Sequence, residues 1–182
     1  MYFCKLNESV EMGTDSDTTI RFSGLKPGRY TYHYSLDRSF FEGFENEEIK
    51  DANVEIDVMM ERMERMLMFH FAIKGEVTVP CDRCLDPITL PIEGEETASV
   101  RFSDTEVSED ENVAVLPESA IEVDVAQWLY EFVAVRIPMQ HVHEDPSECN
   151  PEVGRYLEES GEEADTGDDR IDPRWEALRN LK

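Results

Sequence analysis

Two thiols three residues apart, in Cys81-Asp82-Arg83-Cys84-Leu85-Asp86-Pro87, carry the most specific chemical signal in the sequence. A C-x-x-C pair can turn both sulfurs onto one point, for a metal or for a disulfide. Three readings stay open. In the first, Cys81 and Cys84 bind structural zinc together with Cys149 and one of His141 or His143, because zinc takes four nitrogen or sulfur ligands tetrahedrally. His143 and Cys149 are close enough in sequence to share such a site, and both then lie within about 4 Å of the two sulfurs. The stretch lacks the glycine common in zinc knuckles. In the second, the pair is redox-active, but thioredoxin-like enzymes set C-x-x-C at a helix start, and here Pro87 and a strand pattern follow. In the third, the two thiols sit at a turn without metal. Arg83 between them can contact an anion or a partner, or pair with Asp82 or Asp86 at the surface.

No other constellation supports catalysis. G-x-S-x-G, H-E-x-x-H and the phosphate-binding G-x-x-x-x-G-K-[ST] are all missing from the sequence. The carboxylates fall mostly in charge runs, which solvate a surface. The reading is a protein that is not an enzyme.

The elements that must position the thiols are legible from periodicity. Leu67, Phe69, Phe71, Ile73, Val77 and Val79 occupy odd positions before the pair, and Ile88, Leu90, Ile92, Ala98, Val100 and Phe102 even positions after it. Alternation marks half-buried strands, so residues 66–80 and 87–103 predict a long antiparallel hairpin with the thiols at its tip. Asp86-Pro87 suits the turn. His70, among Met66 and Met68, reads as a packed histidine, and the methionines as core filler. Further strands are predicted at 19–22, at 30–36 (with Tyr30, Tyr32 and Tyr34 on one face), at 54–60 and, as an edge, at 113–116. The tyrosines read as a half-buried sheet face rather than a binding platform. Residues 39–44 predict a helical turn covering a sheet edge. The period then changes: Val125, Trp128, Leu129, Phe132 and Val135 form a helical stripe, with Asp124 and Gln127 as a capping box and Pro138 as the stop.

These signals predict an α+β fold, an antiparallel meander of four to six strands packed by one long helix. Residues 1–18 read as a loose arm and 19–151 as a single domain. Residues 152–170, dominated by Glu and Asp, read as a disordered acidic linker. Residues 171–182 form a short helix motif, with Asp172 as N-cap, Pro173 at the first helical position and Trp175, Leu178 and Leu181 on one face for an apolar groove.

The chain has 182 residues, with 17 Lys+Arg against 42 Asp+Glu and a net charge of −25. Nucleic-acid affinity comes largely from Lys and Arg neutralising phosphates, so direct binding of naked RNA is disfavoured. A basic protein meets the same field as attraction. No apolar run approaches the roughly 20 residues of a membrane span, and residues 1–9 lack the pattern of a secretory signal. The expectation is a cytoplasmic protein with reduced thiols. Its four cysteines, Cys4 included, are too few for a disulfide scaffold.

With Cys81-x-Arg83-Cys84-Leu85, the run Ile137-Pro138-x-x-His141-x-His143, Cys149, and terminal Asp172-Pro173-Arg174-Trp175-x-x-Leu178, the chain resembles the YceD family over roughly residues 25 to 182. The resemblance implies a non-catalytic role in accumulation of large-subunit ribosomal RNA and in ribosome assembly. The partner so implied is a pre-ribosomal large subunit, or a basic ribosomal protein within it. Some relatives look like they complete a metal site with further cysteines near the position of Cys149. Here Cys149 stands alone, and a histidine must substitute. The alternative class is a zinc- or thiol-based regulatory or redox module.

Overall fold

The computed structural model describes residues 18–104 and 113–153. The loose arm expected over residues 1–18, but for Thr18, which bonds Asp124 and Val125, the acidic linker but for its first two residues, and the terminal motif with Trp175, Leu178 and Leu181 lie outside the described residues. The chain divides into two compact units, 1–142 and 143–182.

The first unit is built on a five-stranded sheet in the order β2-β3-β4-β5-β6: β2 Gly28–Asp37, β3 Asp51–Arg62, β4 Met66–Pro80, β5 Pro87–Phe102 and β6 Val113–Leu116. Strands β2 to β5 form the predicted antiparallel meander. In β4 the odd positions Leu67, Phe69, Phe71, Ile73, Val77 and Val79 are all buried, as alternation on one covered face requires. Gly75 stands in the same phase. A Cβ there would run into the Asn53 carbonyl and the Val54 Cα, so the strand crosses its neighbour at a point only glycine fits.

Four expectations are corrected. The edge strand β6 exists but runs parallel to β5, so the antiparallel meander ends at β5. A second sheet pairs β1 (Thr19–Arg21) with β7 (Glu122–Asp124), and β7 is too short to show a period in sequence. Of the methionines, Met60 is in the core, whereas Met66 and Met68 sit half-buried on the opposite sheet face. The long helix is in fact nine residues, α2 Ala126–Ala134.

The reasons for the short helix are local. At its start, Asp124 belongs to β7. Its carboxylate accepts from the Ala126 N–H at 2.9 Å and from Thr18, while Gln127 bonds Glu131, so no capping box forms. At its end, the Arg136 and Ile137 amides bond back to Val133 and Ala134. These three-residue closures tighten the last turn before Pro138. The tightening turns Val135 outward, where it is 71 % exposed.

Trp128, Leu129, Phe132 and Val133 are buried. Trp128 lies 5.6 Å from Phe69, and Phe132 lies 5.0 Å from Phe71, ring centre to ring centre. Burying each large side chain stabilises by about 1.5–3 kcal/mol. The Arg136 guanidinium binds the Phe132 carbonyl, the Glu95 carbonyl and Glu96. It lies over Gly94, where a Cβ would collide with it, and so locks the helix end to β5. A five-residue helix, α1 Arg38–Glu42, is capped by Asp37 and buries Phe41. Tyr34 is buried on the core face, and Tyr30 and Tyr32 are half-buried there, as a covered sheet face requires.

Candidate metal centre

The β4–β5 ladder ends at Pro80 opposite Pro87. Neither residue has an N–H to donate, so pairing stops and residues 81–86 must turn. The Cys81 amide bonds the Asp86 carbonyl at 2.8 Å, and the Leu85 amide bonds the Cys81 carbonyl at 2.8 Å. Leu85 takes φ +64°, the left-handed conformation that glycine adopts freely and that costs a residue with a Cβ about 1–2 kcal/mol. The knuckle is therefore built without the glycine whose lack the sequence shows. Cys81 and Cys84 are both buried, and β5, not a helix, follows them. This is unlike the helix-start placement of a thioredoxin-like pair.

Asp82 ties the knuckle to the chain beyond α2. Its amide bonds the His141 carbonyl at 2.9 Å, and its carboxylate accepts from the His141 amide at 2.8 Å. The buried His141 ring faces Asp82 and Glu48 at 3.4 and 3.6 Å, and its Nδ1 lies 3.2 Å from the Pro138 carbonyl. Of the two candidate histidines, His141 is thus occupied in holding the loop.

His143 and Cys149 flank a short 3-10 turn, Pro146–Glu148. Asp145 caps it, accepting from the Ser147 amide at 2.8 Å, and that bond holds the Asp145 carboxyl below its ordinary range. The turn returns the Cys149 Sγ to 3.6 Å from His143 Nδ1. The ligand atoms of Cys81, Cys84, His143 and Cys149 all lie within 4.8 Å of one another, and these four could hold a metal ion. Tetrahedral zinc with Zn–S of about 2.3 Å and Zn–N of about 2.0 Å sets neighbouring donors roughly 3.5–3.8 Å apart. Three sulfurs and one imidazole nitrogen are a donor set of the kind that zinc takes. No disulfide joins the three described cysteines. Arg83 is half-buried beside them on the knuckle.

The family described as "Large ribosomal RNA subunit accumulation protein YceD" matches residues 69–182, well over half the chain. This chain belongs to the YceD family. The match begins within β4 and takes in the knuckle, α2 and the His143–Cys149 turn. A Bacillus subtilis (strain 168) protein bearing the name "Uncharacterized protein YlbN" is 29% identical over 119 residues, which are 64% of this chain and 67% of that protein. No solved structure matches. The YceD match thus covers all four candidate ligands, while β2 and β3 lie before it. No helix among the described residues is long and apolar enough to cross a membrane.

Proposed function

We propose that this protein is a non-catalytic, zinc-stabilised factor that supports accumulation of large-subunit ribosomal RNA by engaging a basic ribosomal protein in the cytoplasm. Membership of the YceD family carries the ribosomal setting. The charge of −25 favours a Lys/Arg-rich protein over naked RNA, because each approaching phosphate works against the field of the chain. Zinc held by Cys81, Cys84, His143 and Cys149 would be structural, supplying rigidity and no open coordination position. Arg83 and the terminal Trp175, Leu178 and Leu181 are proposed contact residues on their sequence pattern.

The experiment is a titration of the purified, zinc-analysed protein against large-subunit ribosomal RNA alone, then against individual basic large-subunit proteins. Binding to at least one such protein, with RNA bound weakly or not at all, supports the proposal. Tight binding to RNA alone, with no protein partner, overturns it. Zinc content well below one per chain in protein purified without chelators would remove the zinc part.

A further inference from the structure

Leu85 is placed where neither the backbone nor the core asks for a leucine. The left-handed backbone at φ +64° favours glycine, and the side chain is 75 % exposed. A buried leucine could repay its backbone strain through packing, and this one does not. The other non-glycine residue with positive φ among those described is Glu45, whose side chain is charged. A second apolar side chain, Met139, is wholly exposed. It stands two residues before His141, whose amide and carbonyl are both bonded to Asp82 of the knuckle. Two large apolar groups are therefore presented to water on adjoining segments whose backbones are hydrogen-bonded in place. Such pre-ordering lowers the entropy lost on binding, and backbone strain of this kind concentrates at functional positions.

We infer that Leu85, seconded by Met139, is an apolar knob that inserts into a recess on a basic protein of the large ribosomal subunit. The inference rests on the function proposed above and adds the surface that makes the contact. Charge selects the occupant. The knuckle itself, residues 81–87, carries Asp82 and Asp86 against Arg83, and Glu48 faces His141 beside Asp82; the Asp82 and Glu48 side chains are 44 % and 55 % exposed. A recess rimmed by lysine and arginine complements those carboxylates. A second copy of this chain would bring another charge of −25 against it. RNA would bring phosphates to the same carboxylates and has no matching apolar recess.

The test uses the full-length, zinc-loaded protein and three probes: individually purified basic large-subunit proteins, poly-L-lysine, and large-subunit ribosomal RNA. Leu85→Gly relieves the backbone, so its Tm should equal or exceed that of the parent. Its affinity for the ribosomal protein should fall at least about tenfold, the loss expected when one anchoring side chain is truncated, while poly-L-lysine binding stays unchanged. Leu85→Asn, which also tolerates left-handed backbone, should lose affinity in the same way, and Met139→Ser should lose less. If the parent binds a ribosomal protein and Leu85→Gly binds it equally well, the knob is rejected and the functional reading stands. If the parent binds none of them, both fall together. A lower Tm for Leu85→Gly would place Leu85 in the packing of the knuckle and would also sink the inference.

Discussion

Three local devices set the four candidate ligands. Two prolines stop the ladder before Cys81, Leu85 turns left-handed after Cys84, and an Asp145-capped turn folds Cys149 back on His143. If zinc is the shared centre, part of its binding free energy is folding free energy. Cys81→Ser or Cys149→Ser should then abolish stoichiometric zinc and lower Tm by about 5–10 °C, the effect of a few kcal/mol in a chain of this size. A chelator should do the same to the parent and little to the variants; equal Tm values with and without chelator would contradict a structural metal. His33 offers a separate test. Its Nδ1 lies 2.8 Å from Asp57 and its Nε2 2.7 Å from Glu55. The hydrogen bond to Asp57 foremost, with the field of Glu55, raises its pKa above the ordinary 6.5. A raised folded pKa stabilises the fold fully below about pH 6.5, and that contribution is lost as pH rises through the folded value. The ring is 60 % exposed, so the effect on stability is small and is best read by NMR titration. His33 should titrate above 6.5 in the parent and lower in Asp57→Asn; a parent value at or below 6.5 contradicts the geometry.

At the scale of the element, the β4–β5 hairpin was the most legible feature, because period-2 alternation over two long strands leaves one register that puts both apolar sets on the same face of the sheet. The helix was legible in kind but not in length. Periodicity included Val135, whereas the tight closures before Pro138 rotate it into water. The two residues should therefore respond differently to truncation. Leu129→Ala, fully buried on the sheet, should cost about 2–5 kcal/mol, and Val135→Ala should stay within about 0.5 kcal/mol. Urea denaturation of both variants checks this, and comparable losses would mean that the helix continues through Val135 in solution.

For the whole molecule, the net charge of −25 sets the salt dependence expected of an association with a charged partner. If a basic protein is the partner, raising ionic strength from about 0.05 to about 0.3 M should weaken binding about tenfold, since the Debye length shortens from more than 10 Å to less than 8 Å. The apolar contact at Leu85 should remain as a salt-insensitive remainder, visible as a loss of affinity in Leu85→Gly that is similar at both salt concentrations. Affinity that does not change with salt would reject charge as the selector of the partner.

The α+β class, the hairpin, its tip and the pairing of Cys81 with Cys84 were all readable in the sequence, because each rests on local periodicity or spacing within one stretch. The acidic balance was readable from composition, and the YceD resemblance from the order of several short motifs along the chain. Closeness to Cys149 in the sequence pointed to His143 as the fourth ligand, with His141 as the alternative. What the sequence hid is that His141 is spent on Asp82, while His143 meets Cys149. The parallel edge strand, the β1–β7 pair and the left-handed Leu85 were equally hidden. A three- or four-residue strand carries too few positions to show a period, and a backbone angle leaves no mark in a sequence when the residue occupying it is not glycine.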